Sequence, residues 1–146
     1  MALKETLRNQ IVALVDNGIT DFFSGGADGV DCWAALIVLE LRKKNPALRL
    51  HCILPHEGQA DTWSDTAQER SHSIVSQADT VEYISREYYD GCMLVRNHRL
   101  VEAAGLLLAV YNGERRGGTA ETVRYARKLG RRSVILNPIT LEAVCE

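Results

Sequence analysis

Ile19-Thr20-Asp21-Phe22-Phe23, then Ser24-Gly25-Gly26-Ala27-Asp28-Gly29, then Val30-Asp31-Cys32-Trp33-Ala34-Ala35, is the stretch on which the fold turns. The first five residues form a short apolar, partly β-branched run, which reads as a strand. The glycines that follow read as a tight turn. After them Val30, Trp33, Ala34, Ile37, Val38 and Leu41 recur at helical intervals, so this helix buries one face. Asp28 is expected to cap its first turn and Asn45-Pro46 to end it. Strand, glycine turn and helix in direct succession make one unit of an α/β protein.

The same alternation extends in both directions. Upstream, Leu3, Leu7, Ile11 and Leu14 line one side of a helix stopped by Asn17-Gly18. Downstream, a strand is predicted over Leu48 to Leu54, closed by Pro55, and a polar stretch from His56 to Ser64 leads to a helix from Asp65 to Ala78. A strand over Thr80 to Ile84, a loop through Tyr88-Tyr89-Asp90-Gly91 and a helix from Cys92 to Ala104 follow. Leu106 to Tyr111, apolar without interruption, reads as the most buried strand, central and covered on both faces. After a loop over Asn112 to Gly118 come a helix from Thr119 to Leu129, ended by Gly130, and a strand over Ser133 to Leu136, stopped by Asn137-Pro138. Strands and helices in this order predict a Rossmann-like three-layer α/β/α sandwich with a mainly parallel sheet of about five strands. Residues 1–146 form one domain on this reading.

Composition narrows the classes further. A chain of 146 residues, 46% hydrophobic and 25% charged, folds rather than staying disordered. Lys plus Arg (17) nearly balances Asp plus Glu (19), so no global charge draws it to nucleic acid or membrane. Locally the balance breaks: seven of the 17 basic residues lie between Arg115 and Arg132 against one acid, whereas His56 to Asp90 holds eight acids against two arginines. The cysteines Cys32, Cys52, Cys92 and Cys145 form no CxxC pair, and no N-terminal apolar run suggests a leader, so a reducing, cytoplasmic setting is expected. His51, His56, His72 and His98 make no HxH or HxxxH pair, and no metal or cofactor is implied.

Parallel sheets bind ligands beyond the carboxyl ends of their strands, which directs attention to two loops. Ser24, Gly25, Gly26, Asp28 and Gly29 could cradle a phosphate, with Ser24 offering its hydroxyl; the alternative is a plain tight turn. The spacing is not the GxGxxG dinucleotide fingerprint. Gly117, Gly118 and Thr119 open a second helix in the same manner, with Arg115 or Arg116 supplying charge. Arg124, Arg127, Lys128 and Arg131 fit a solvated helix face. Gln59 and Trp63 suit a ribose and a base, though Asp61 or Thr62 could instead cap the next helix while Trp63 packs on it. Arg96 and Asn97, on the helix after the tyrosine loop, either face the ligand or pair with a surface carboxylate.

Taken together, Phe23 to Ala35, Ile53-Leu54-Pro55 with Gly58 to Trp63, Arg96-Asn97, Leu108 to Gly113 and Gly117 to Ala120 resemble the SLOG superfamily. This Rossmann-like group joins the DNA-processing protein DprA (Smf) with the LOG cytokinin-activating phosphoribohydrolases. The likeness is greatest to its YpsA-like branch, which includes prophage-encoded members. The resemblance implies a nucleotide or ADP-ribose-like ligand held by the two glycine loops. Alternatives are hydrolysis of a nucleoside 5'-monophosphate and, ranked lowest, a DNA-binding or interaction module. YpsA-like proteins usually open with a strand and a Thr-Gly-His-Arg-like turn, whereas this chain opens with the helix that should follow. In LOG enzymes a glutamate works with an arginine, but the matching position here is Arg124. Glu121, with Arg116, is the remaining catalytic candidate, displaced by about 4.5 Å along the helix axis. An incomplete sheet edge also leads to the expectation of a homo-oligomer.

Overall fold

The computed structural model describes residues 2–146. In chain order the elements are α1 (Ala2–Asp16), β1 (Asp21–Ser24), α2 (Val30–Arg42), β2 (Arg49–His56), α3 (Asp65–Gln77), β3 (Thr80–Ser85), α4 (Cys92–Ala103), β4 (Leu106–Val110), α5 (Gly118–Lys128), β5 (Arg132–Leu136) and β6 (Ala143–Cys145). The chain is α/β with a Rossmann-like layering, α1 to α3 covering one face and α4 and α5 the other. Alternation along β2 shows why the layers form. Leu50, Cys52 and Leu54 belong to a core with Leu7 and Ile11 of α1, Cys32, Ala35 and Val38 of α2 and Ile74 of α3. Each leucine, isoleucine and valine among them contributes about 1.5–3 kcal/mol by leaving water.

The predicted strands are all present, but they do not form one sheet. β1, β2 and β3 make a parallel three-stranded sheet, and β4, β5 and β6 make a second one. In the second, β4 and β5 are parallel and β6 returns antiparallel beside β5. Residues of β1 and β4 face one another across a cleft, with no hydrogen bond between the two strands. This corrects the expectation for β4. Only Ala109 in it is buried, and the most buried strand is β2. Apolar sequence marks β4 for burial on both faces, yet the open cleft leaves it half-covered.

Two capping expectations also change. Asp28 does not cap α2: Gly29 is the N-cap, with no side-chain cap, while Asp28 accepts from the Gly29 amide at 3.0 Å and from Arg70 at 3.3 Å. Neither Asp61 nor Thr62 caps α3, because Ser64 does so, its hydroxyl accepting from the Ala67 amide at 3.2 Å. Cys32, Cys52 and Cys92 are buried and Cys145 is exposed. Burial pushes the thiols of Cys32 and Cys52 up to about 11. Among the described residues no helix is long and apolar enough to cross a membrane.

Candidate functional site at the cleft between the half-sheets

The connectivity explains why the cleft lies where it does. From β1 the chain steps outward to β2 and β3, and α4 then carries it back to β4, from which it steps outward again to β5. The strand order therefore reverses at the cleft, and in open α/β sheets such a switch point leaves a crevice at the strands' carboxyl ends. The loop after β1 and the loop after β4 flank it.

The first loop is held from several sides. Ser24, at the end of β1, is buried; its hydroxyl donates to the Asp31 carbonyl at 3.1 Å and accepts from the Gly26 amide at 3.2 Å. Gln59 Nε2 donates to the Gly26 carbonyl at 3.1 Å, so the Gln59 loop is tied to this one. The Asp31 carboxylate accepts from the Ala27 amide at 3.2 Å. Arg96 reaches over from α4, where it is 6% exposed, and its Nη1 donates to the Gly25 carbonyl. Its Nε donates to the Asn97 side-chain oxygen at 2.7 Å.

Gly25 sits between these charges. A Cβ placed there would lie 2.9 Å from Asp31 Oδ2 and 3.0 Å from Arg96 Nη1, so a side chain is excluded by close approach. At Gly26, φ is +67° and a Cβ would fall 2.3 Å from Leu54 Cδ2. Burial pushes the Asp31 carboxyl up, opposed by Arg96 and the Ala27 amide, and burial likewise lowers Arg96.

The second loop meets the first through α4. Next to Arg96, the Asn97 side-chain nitrogen lies 3.5 Å from where a Cβ on Gly118 would be. Gly117 is the N-cap of α5 and, like Gly29 of α2, supplies no side-chain cap. The cleft is a cavity of about 860 Å³, and Ser24, Gly25, Asp28, Arg96, Asn97, Gly118 and Thr119 line it together with Asp31 and Thr122.

Other candidates are placed elsewhere. Gln59 borders a separate hollow of about 370 Å³ between β2 and α3, while half-buried Trp63 lines neither space. Arg116 and Glu121 are exposed and do not line the cleft, and the Glu121 carboxylate pairs with Arg124. Gly26, Gly29 and Gly117 shape the loops without contributing to the lining.

Asp31 is the participant that sequence reasoning left without a role. Its signal was position, one residue inside a glycine-started helix whose face is otherwise apolar. Arg96 carried a comparable signal, four residues from Cys92 on the buried side of α4.

A profile of the YspA SLOG family matches residues 1–142, nearly the whole chain. The chain belongs to the YpsA family of SLOG proteins. Individual relatives agree. A UPF0398 protein of Halalkalibacterium halodurans is 30% identical over 128 residues, 86% of this chain and 68% of the relative. A UPF0398 protein of Bacillus thuringiensis is 32% identical over 130 residues, covering 88% and 71% respectively, and one from Bacillus cereus matches to the same extent. The blocks that carry the YpsA resemblance, Phe23 to Ala35, Arg96-Asn97 and Gly117 to Ala120, include the residues gathered at the mouth of the cleft.

Proposed function

We propose that the chain binds a phosphorylated nucleoside or an ADP-ribose-like ligand at the carboxyl-end mouth of the cleft. The observation that carries this is the meeting of two helix starts, α2 and α5, neither with a side-chain cap, on either side of Arg96 and Asn97. Uncapped N-termini leave amides free for an anion, and the helix dipoles add favourable potential. Thr119 and Asn97 offer neutral donors beside them, and the apolar cleft wall suits a base. Arg96 supports the reading as a positioning residue, because its guanidinium is engaged with protein groups rather than directed outward.

Binding is favoured over hydrolysis of an N-glycosidic bond. Glu121 is engaged by Arg124 and lies away from the cleft, so no carboxylate from α5 stands ready beside the sugar. The exposed apolar cluster of Tyr88, Tyr89, Met93, Leu94 and Val95 supports self-association of the protein through the start of α4, which light scattering at micromolar concentration checks by mass.

Thermal-shift titration with AMP, NAD, ADP-ribose and cyclic nucleotides tests the binding reading. A ligand at a hundred times its Kd stabilises by about 2.7 kcal/mol, a rise of roughly 5–10 °C for a domain of this size. A flat response across the panel rejects the proposal. Release of free base from AMP, lost in Glu121→Gln, would replace it with the hydrolase reading.

A further inference from the structure

Away from the cleft, the hollow of about 370 Å³ beside Gln59 has a make-up of its own. The register of the sheet explains its position. Leu54 of β2 stands opposite Tyr83 of β3, the outer strand of its half-sheet. Ile74 of α3 shares a core with Leu54, but Val81 and Tyr83 of β3 stay exposed. Between the helix and that strand a space remains, with Leu54, Ala60 and Val75 as its apolar lining.

Its polar groups lack partners. Ser71 of α3 is only 7% exposed and lines the hollow, yet its hydroxyl is bonded to no group among the described residues. A buried hydroxyl in that state is costly unless something in the adjoining space pairs with it. Gln59 donates through Nε2 to the Gly26 carbonyl, which leaves its side-chain oxygen as an acceptor at the same space. At the surface Glu57 and Asp61 are exposed and belong to no ion pair among the described residues, and neither lysine nor arginine lines the hollow. The Asp61 carboxylate folds back over Gly58, where a Cβ would lie 2.7 Å from its Oδ2. Two uncompensated negative charges thus stand over an apolar lining, beside the Tyr83 ring, whose face also attracts a cation. Among the described residues no three His, Cys, Asp or Glu side chains are grouped to hold a metal ion, so the donors suit a cation of several atoms.

We propose that this hollow binds a small primary amine with an apolar body and a hydroxyl at its far end. The ammonium meets Glu57 and Asp61, the body packs on Leu54, Ala60 and Val75, and the hydroxyl pairs with Ser71. Exposure sets that order, the carboxylates standing at the surface and Ser71 within. A few convergent polar groups around an apolar lining are the usual make-up of a small-molecule site. The hollow shares no lining residue with the cleft, so this proposal and that of a nucleotide-like ligand can fail separately.

The test uses tyramine as probe and tyrosol, which carries a hydroxyl in place of the ammonium, as control. Calorimetric titration of the intact protein should show saturable binding of tyramine at one site, with amide resonances of residues 57–61 and 71–76 shifting in step. Tyrosol should bind about tenfold more weakly, the loss expected for a charge-assisted contact. Glu57→Gln combined with Asp61→Asn should weaken tyramine about tenfold without moving the urea midpoint, because both carboxylates are exposed and unpaired. Ser71→Ala should weaken tyramine and tyrosol alike, about fivefold, as for one neutral hydrogen bond. Absence of saturable tyramine binding overturns the proposal. So does equal affinity for tyrosol, which would make the hollow a plain apolar depression. Displacement of tyramine by magnesium chloride, where sodium chloride of equal ionic strength has no effect, overturns it in favour of a metal. Resonance shifts confined to residues 24–29 and 118–122 also overturn it, because the amine would then sit in the cleft.

Discussion

The two glycine loops start from one kind of sequence, a strand followed by glycines and a helix, and end in different physical states. In the first, the Gly25 carbonyl, both main-chain groups of Gly26 and the Ala27 amide are each held by a side chain, from Arg96, Gln59, Ser24 and Asp31. In the second, Tyr111 and Asn112 bond to Glu114 within the loop, Arg124 reaches the Arg115 carbonyl, and residues 112–118 are exposed. Packing compels glycine at Gly25 and Gly26 of the first loop, whereas in the second Gly113 and Gly117 are required only by their positive φ. In the first loop the Gly26, Ala27 and Gly29 amides donate to Ser24, Asp31 and Asp28, so the loop is a fixed wall beside the α2 start, whereas the second loop is held only from within and by Arg124.

The contrast breaks most directly at Arg96. Arg96→Met removes hydrogen bonds to the Gly25 carbonyl and Asn97 and leaves Asp31 without its compensating charge, at a cost of about 3 kcal/mol in urea unfolding. A loss under about 1 kcal/mol would mean that the first loop is not held as described. Gly26→Ala combines a positive φ with a clash against Leu54 and should cost about 2 kcal/mol. Gln59→Ala removes one bond to the Gly26 carbonyl, for about 1 kcal/mol, with nucleotide-like ligands binding more weakly because the loop loosens.

A pH series sharpens the same point. Burial pushes Asp31 up, so the native state binds that proton more tightly than the unfolded chain does. Its contribution to stability therefore declines as pH rises from the unfolded carboxylate value through the folded one, and Asp31→Asn should abolish the decline. Gly118→Ala is the matching change in the second loop. A Cβ there meets only Asn97 at ordinary contact distance, so stability should stay within about 0.5 kcal/mol of the parent.

Much of this was legible in the residues themselves. Helix faces such as Leu7 and Ile11 declare themselves by spacing, because burial follows the 3.6-residue period, and strands β1 to β5 follow from apolar runs bounded by turn residues. β6 escaped notice since Ala143-Val144-Cys145 is short, exposed and paired only through β5, with no pattern of its own. The break between β1 and β4 leaves no mark on β4 itself. Edge pairing belongs to the main chain, and Leu106 to Val110 has the same apolar sequence whether its inner edge is satisfied or open. The loops were found by their glycines, but their grip was not, because Arg96 and Asp31 are distant in sequence: Arg96 alone fits either a ligand contact or a surface pair, and nothing in the sequence links Asp31 to it.

The distribution of sulfur has a practical corollary. Three thiols are sealed within the packed layers, two of them further disarmed by raised pKa values, while Cys145 stands on the outermost strand and outside the cleft lining. A maleimide dye therefore attaches to the native protein at a single known point without prior mutagenesis, and it does so away from the cleft, whose lining stays unlabelled.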